Sequence, residues 1–425
     1  MKNRFACLLE KAGVSEYRIT ETSVESTELF FIKKKLDMRR MKNSTNVTID
    51  VFKDIEEDGN KFKGLSEIIG NPSMSDDEWL DKIKSALYSA GFVKNKTYTL
   101  PEGEKSDEIV MESDLSDMSL SEIADKFVEA IYEEDNDSKS FINSLEVFSE
   151  RKHVKMIGSN GTDVSYVKTS FKGEFVVQCK EPMDVETYQN FEYDSLNLSD
   201  IKSLVKRTIT LTKDRARANE TPSTGNYDIV ISHKYMADLF GFYLERANAA
   251  YIYAGYSEYK KGDNIQGEDV KGEKLNIDFL PDVPFDEQAI RKTVCPFIEE
   301  GKLKLIHGGI RFCEYIGVDK VGIYSKVRVK NGSVSFDDML KRPCIHVVNF
   351  SDFQVDSFDG HFKGEIRLGY LYDGKGNVTP ITGGSINGSF IEAQRDFSFS
   401  KETQKLSTYE GPMALFIKNV PVAGK

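Results

Sequence analysis

Seven residues, ETPSTGN from Glu220 to Asn226, separate two unlike textures in this chain. Upstream, helical stripes alternate with strand-like runs; downstream, the pattern is mostly strand. The segment combines turn formers and carries neither a helical nor a strand period, which marks a domain boundary. The division is expected at residues 1–219 and 220–425. A length of 425 residues supports two or three domains with sizeable cores.

Several upstream elements are legible. Leu8 and Leu9 fall in a short opening helix. The runs FFIKKKLDMRRM and NVTIDVFKD read as two strands joined by a hairpin turn at KNST; Val47, Ile49 and Val51 alternate with polar residues, so one face is buried. SDDEWLDKIKSALYSAGF is the clearest helix. Ser75 and Glu78 make a capping box. Trp79, Ile83, Ala86, Leu87 and Ala90 share a stripe, and Gly91 ends it. Ser119 and Glu122 cap a second helix lined by Ile123, Phe127, Ala130 and Ile131. The acidic stretch between these helices reads as a surface loop. VSYVKTSFKGEFVVQCKE reads as two strands around Lys172-Gly173, and DIKSLVKRTITLTKDRARAN as a helix burying Ile201, Leu204, Val205, Thr208 and Ile209.

Downstream, a strand at Tyr227 to Ile231 leads into a helix that opens near His233, and a shorter helical stretch is expected near Asp286 to Ile290. RPCIHVVNF, GEIRLGYLY and MALFIKNVPVAG are strand-like. DGKGN, Asp373 to Asn377, is a hairpin turn. The Gly- and Ser-rich TGGSINGSF turns the chain more readily than it cradles a ligand.

Charge and cysteine usage narrow the function classes. Net charge is −12, and the densest basic run, Lys33 to Lys42, has the look of a strand with one solvated face, so direct nucleic-acid binding is disfavoured. Five cysteines without C-x-x-C spacing argue against a disulfide framework or a structural zinc site and fit a reducing cytoplasm. No apolar stretch reaches the roughly 18 residues that a membrane helix needs.

The one position with the flavour of a metal site is His233. In the H-E-x-x-H helix, two histidines one turn apart share a face and the Glu activates water. Here Lys234 stands in the Glu position and Ala237 one turn on, while Asp238 is five residues away and turned off the histidine's face. His233 and Asp238 are therefore only weak metal candidates, and no catalytic residue can be named. His307 and His361 read as solvated turn histidines, and Cys313 and Cys344 as small buried hydrophobes.

The order of several segments resembles the TldD/PmbA family: TNVTIDVFKD with GLSEIIGNPSMSDDEWLDKIKSALYSAGFVKN, IGSNGTDVSY, LTKDRARANETPSTGNYDIVISHKYMADLFGFYLE, YSEYKKGDNI with IDFLPDVPFDEQ, FKGEIRLGYLYDGKGNVTPITGGSINGSF and GPMALFIKNVPVAG. The collinearity spans nearly the whole chain. The resemblance implies an α+β fold, with an N-terminal domain of helices packed on an antiparallel or mixed sheet and a β-rich C-terminal domain. One branch of the family carries an H-E-x-x-x-H metal motif. Placed here, that motif falls on His233, Lys234 and Asp238, and STYEGPMALF lacks the expected cysteine ligand. The chain thus is similar to the metal-free PmbA (TldE)-like branch. This implies a cytoplasmic subunit without its own cofactor, handling unfolded peptides beside a zinc-bearing TldD-like partner or as a homodimer. The alternatives are an active metallopeptidase with altered ligands, using His233, Asp238 and a distant His or Cys, and a protein-binding modulator related to gyrase or to a toxin–antitoxin pair.

Overall fold

The computed structural model describes residues 3–425 and has the α+β architecture expected. In its first part, β1 (Glu16–Ile32), β2 (Lys35–Glu57), β3 (Asn60–Gly70), β4 (Asn95–Lys96), β5 (Ile109–Val110), β6 (Ser140–Gly158), β7 (Asp163–Cys179) and β8 (Val185–Tyr193) form one eight-stranded sheet. Its order is β4-β3-β2-β1-β6-β7-β5, and β8 pairs with β7. Four helices accompany it: α1 (Arg4–Lys11), α2 (Asp76–Ala90), α3 (Leu120–Glu133) and α4 (Leu198–Arg217).

The helices form where the sequence period places them. Ser75 and Glu78 close the capping box of α2, and Trp79, Ile83, Ala86 and Ala90 are buried. Trp79, Ile83 and Ala86 join Phe5, Leu9, Val47, Ile49 and Val51 in one core. A second core lies under α3 and α4, where Phe127, Ile131, Ile201 and Val205 meet Leu145, Phe171 and Phe175.

Three sequence expectations change. The hairpin turn between β1 and β2 sits at Lys33-Lys34, with Lys33 at φ 54°, and β2 runs unbroken through Lys42–Thr45, which pair with Ser26–Ser23. Polar residues in that stretch look like a turn, but the sheet supplies the register. Likewise β7 continues through Lys172-Gly173. Gly173 is there because a Cβ would stand 2.3 Å from the Glu146 carbonyl oxygen and 2.8 Å from the Phe191 ring. Gly173→Ala is expected to cost about 1–3 kcal/mol through overpacking, visible as a lower urea midpoint. An unchanged midpoint would mean that β6 and Phe191 can give way. Finally, Asp286 to Ile290 is a turn rather than a helix: the Asp286 carboxylate accepts from the N–H groups of Gln288 and Ile290, both at 2.9 Å, and Ala289 adopts φ 63°. Side-chain capping of the turn outcompetes helical bonding.

The later strands are β9 (Gly225–Ser232), β10 (Ile277–Leu280), β11 (Cys295–Glu299), β12 (Lys302–Leu303), β13 (Lys326–Val329), β14 (Cys344–Val355), β15 (His361–Tyr372), β16 (Val378–Ile381), β17 (Ser385–Ser389), β18 (Ser398–Phe399), β19 (Thr403–Lys405), β20 (Tyr409–Pro412) and β21 (Ala414–Ala423). Six of them order as β12-β11-β10-β13-β20-β19, and seven build a sheet around β14-β9-β21-β17-β15-β16. The 373–377 turn joins β15 to β16, and Gly383-Gly384, both at φ 78°, turn the chain into β17. Helix α5 (Tyr235–Arg246) buries Met236, Leu239, Phe240 and Tyr243 in a large common core.

Sequence-distant parts meet along two seams. Phe52 and Tyr98 pack on Ile310, while Val154, Met156, Val164 and Tyr166 pack on Phe285 and Ala289. Helix α4 is tied across by the Tyr370 hydroxyl, which donates to the Asp214 carboxylate at 2.6 Å.

Candidate functional site

A cleft of about 1000 Å³ lies between the first sheet and the later ones. One wall is β8 and α4, the other the segment around His233 with Phe350–Phe353 and the 403–408 stretch. Two sheet edges border it. Strand β8 pairs only with β7, and six consecutive β8 residues, Tyr188 to Tyr193, line the space. Strand β19 ends the six-stranded sheet, and Thr403, Gln404 and Lys405 all line the cleft. Because side chains alternate along a strand, an unbroken run of lining residues means that the strand presents its edge.

His233 does not open the helix. It precedes α5 in the left-handed region at φ 59°, a conformation that favours glycine and costs a β-carbon residue about 1 kcal/mol or more. Its backbone is pinned on both sides. Its N–H donates to the Met413 carbonyl at 2.9 Å, and its carbonyl accepts from the Gln404 amide at 2.9 Å and the Met236 N–H at 3.0 Å. Burial first, then the positive charge of Arg207 and proximity of His346, hold its pKa well below the usual histidine value, so the imidazole is neutral.

Behind it lies His346 of β14, which the sequence reading missed. Its Nε2 shares a 2.8 Å hydrogen bond with the Ser232 hydroxyl, and burial pushes its pKa down to about 3. A histidine inside the otherwise apolar RPCIHVVNF run was the available signal. Asp238, on the exposed side of α5, lies at the cleft wall; desolvation there raises its pKa and the nearby Lys234 charge opposes that rise. Lys234 rests its ammonium 5.4 Å over the Tyr235 ring.

His233 and Asp238 do not join a third donor: among the described residues no three His, Cys, Asp or Glu side chains are placed to hold a metal ion. The surrounding charges, Arg207 and Lys234, would also repel a divalent cation. These residues do not fit the zinc site that the resemblance in sequence raised.

The remaining candidates lie elsewhere. His307 is not a solvated turn residue. It is 2% exposed and braces the fold, its Nδ1 accepting from the Tyr324 N–H at 3.1 Å and its Nε2–H donating to the Leu244 carbonyl at 2.9 Å. His361 is exposed at the start of β15. Cys313 and Cys344 are buried free thiols whose pKa values burial raises to about 11.

Fold and cleft together define an α+β architecture with two sheet edges facing one space. Residues 224–424 match the model of the PmbA/TldA metallopeptidase C-terminal domain. The part of the chain from residue 224 is therefore similar to that family's C-terminal domain. Solved structures extend the likeness to the whole length. A TldE crystal structure from Thermococcus kodakarensis is 17% identical, with TM-score 0.80 and coverage of 99% of both chains. A candidate modulator of a DNA gyrase from Thermotoga maritima MSB8 is 18% identical, with TM-score 0.79, covering 99% of this chain and 98% of that one. Another candidate gyrase modulator, from Bacteroides thetaiotaomicron VPI-5482, is 15% identical, with TM-score 0.80 and full coverage of both. At these identities the likeness is one of fold. No curated protein matches the chain.

Proposed function

We propose that this chain is a non-catalytic, TldE-like subunit that holds an unfolded peptide in its cleft for a zinc-bearing TldD-like partner. The observation that carries the reading is the pair of open sheet edges, β8 and β19, facing one cleft. An extended peptide can satisfy its backbone by adding to such an edge, while alternate side chains enter flanking pockets. Tyr188, Phe191, Tyr193, Tyr235, Phe350 and Phe353 supply apolar contact on both walls. We place the division between peptide-wall domains at 219/220. The partner is a TldD-like chain or a second copy, and the setting is the cytoplasm; among the described residues no helix is long and apolar enough to cross a membrane.

Binding and cleavage assays separate the parts of this reading. A labelled unstructured peptide is expected to bind the purified chain. The same peptide with proline at alternate positions is expected to bind at least tenfold more weakly, since proline lacks the N–H that pairs with an edge. No cleavage is expected from the chain alone, and cleavage is expected once a TldD-like subunit is added. Stoichiometric zinc together with peptide cleavage by the isolated chain would defeat the non-catalytic assignment.

A further inference from the structure

Arg207 projects from α4 into the cleft, and among the described residues nothing engages its guanidinium. It makes no hydrogen bond or ion pair within the described residues; Asp200 and Tyr193 act on it only at longer range. The nearest carboxylate, Asp200, is already occupied, accepting from the Tyr193 hydroxyl at 2.7 Å. Across the cleft, Lys234 is close enough for the two positive charges to disfavour each other, and it too has no ion pair. Two cations from opposite walls therefore converge, half-buried, on one space.

Such an arrangement is unfavourable when empty. A partly desolvated guanidinium without acceptors loses its hydration and gains nothing in exchange. Burial accordingly lowers the Arg207 pKa to about 10, with Asp200 only partly offsetting it. An oxyanion arriving between the two walls reverses the balance, because a guanidinium offers two parallel N–H donors that match a carboxylate.

The geometry points to Arg207 as an anion seat that receives the free C-terminal carboxylate of a bound peptide, with Lys234 as the second positive contact. This rests on the peptide-handling reading and adds a direction to it: the peptide is held by its end. The charge balance of the lining favours a carboxylate over a phosphate. Five acidic residues, Glu174, Glu192, Asp200, Asp238 and Asp352, share the cleft with four cations, Lys172, Arg207, Lys234 and Lys405. Lys172 is already bonded to Glu150 at 2.8 Å. Because the lining as a whole already carries one more acid than cations, a monoanion adds less unfavourable charge to the cleft than a dianion does.

The test compares two probes on the full chain by fluorescence anisotropy: fluorescein-labelled Ala-Ala-Leu-Phe-Ala with a free C-terminal carboxylate, and the same peptide as its C-terminal amide. The acid is expected to bind at least tenfold more tightly than the amide. Arg207→Gln is expected to abolish that preference, bringing acid binding down to the level of the amide, and Arg207→Lys to restore part of it; circular dichroism melts confirm that each variant is folded. Equal binding of acid and amide to the wild type, or a preference that survives in Arg207→Gln, overturns the seat while leaving peptide handling intact. If neither peptide binds, peptide handling itself fails and the seat falls with it.

Discussion

The protein is expected to lose several kcal/mol of stability between pH 6.5 and 4. The cause is histidines buried in neutral form, His307 and His346 foremost, with His233 acting in the same direction. His307 has both ring nitrogens committed, one accepting from a backbone N–H and the other donating to a carbonyl. Protonation would set two N–H donors against each other. Burial, partly opposed by the Leu244 bond, lowers its pKa from 6.5 to about 4. His346 falls to about 3 through burial and then the Arg207 charge. Below pH 6.5 the unfolded chain takes up protons that these two sites refuse, so stability drops as pH falls. Each unit of difference is worth about 1.4 kcal/mol. The loss begins near 6.5 and levels out near 4 for His307 and near 3 for His346. Asp135 and Asp286, whose pKa values burial raises, work the opposite way near the bottom of this range. Urea midpoints at pH 7.5 and 4.5 measure the sum. His346→Gln, which retains a polar side chain for Ser232 but cannot titrate, is expected to flatten the dependence. If wild type and variant show the same pH slope, His346 is not the source.

Trp79→Ala is expected to cost about 3–5 kcal/mol. The indole is fully buried, and its ring lies 5.0 Å from Phe5 in an edge-on contact. It also rests on the backbone at Gly70, where a Cβ would come within 2.5 Å of it. Removing it empties the join between α1, α2 and the sheet. Trp79→Phe is expected to cost less, about 2 kcal/mol or below, because it also removes an indole N–H that has no hydrogen-bond partner among the described residues. Trp79 is the only tryptophan, so the variants need far-ultraviolet dichroism rather than fluorescence. A midpoint within experimental error of wild type for Trp79→Ala would show that the site collapses around the missing ring.

Helices were the most legible part of this chain. The capping pair Ser75 and Glu78, and the apolar stripes of α2, α3 and α4, carry both ends and faces in local residues. Strands were less so. KNST and Lys172-Gly173 have turn composition, yet both lie inside long strands, because pairing with neighbours decides strand length and those neighbours are distant in sequence. The Asp286 turn was hidden for the related reason that one carboxylate caps it. At the site, His233 and Asp238 were noticed and their failure to complete a metal set could be argued from spacing. Arg207 carried no local signal: it is one more polar residue on an amphipathic helix, and only the approach of Lys234, 27 positions later, gives it a role. For His307 the adjacent glycines suggest exposure, while its partners, Leu244 and Tyr324, lie 63 and 17 residues away.

The cleft draws its walls from Phe148 at one extreme and Met413 at the other. Dividing the chain between residues 219 and 220 would therefore yield two fragments, each with half a groove. A peptide-binding screen run on residues 224–424 alone would lack Arg207 and the β8 edge, so the proposal is tested only on the full chain.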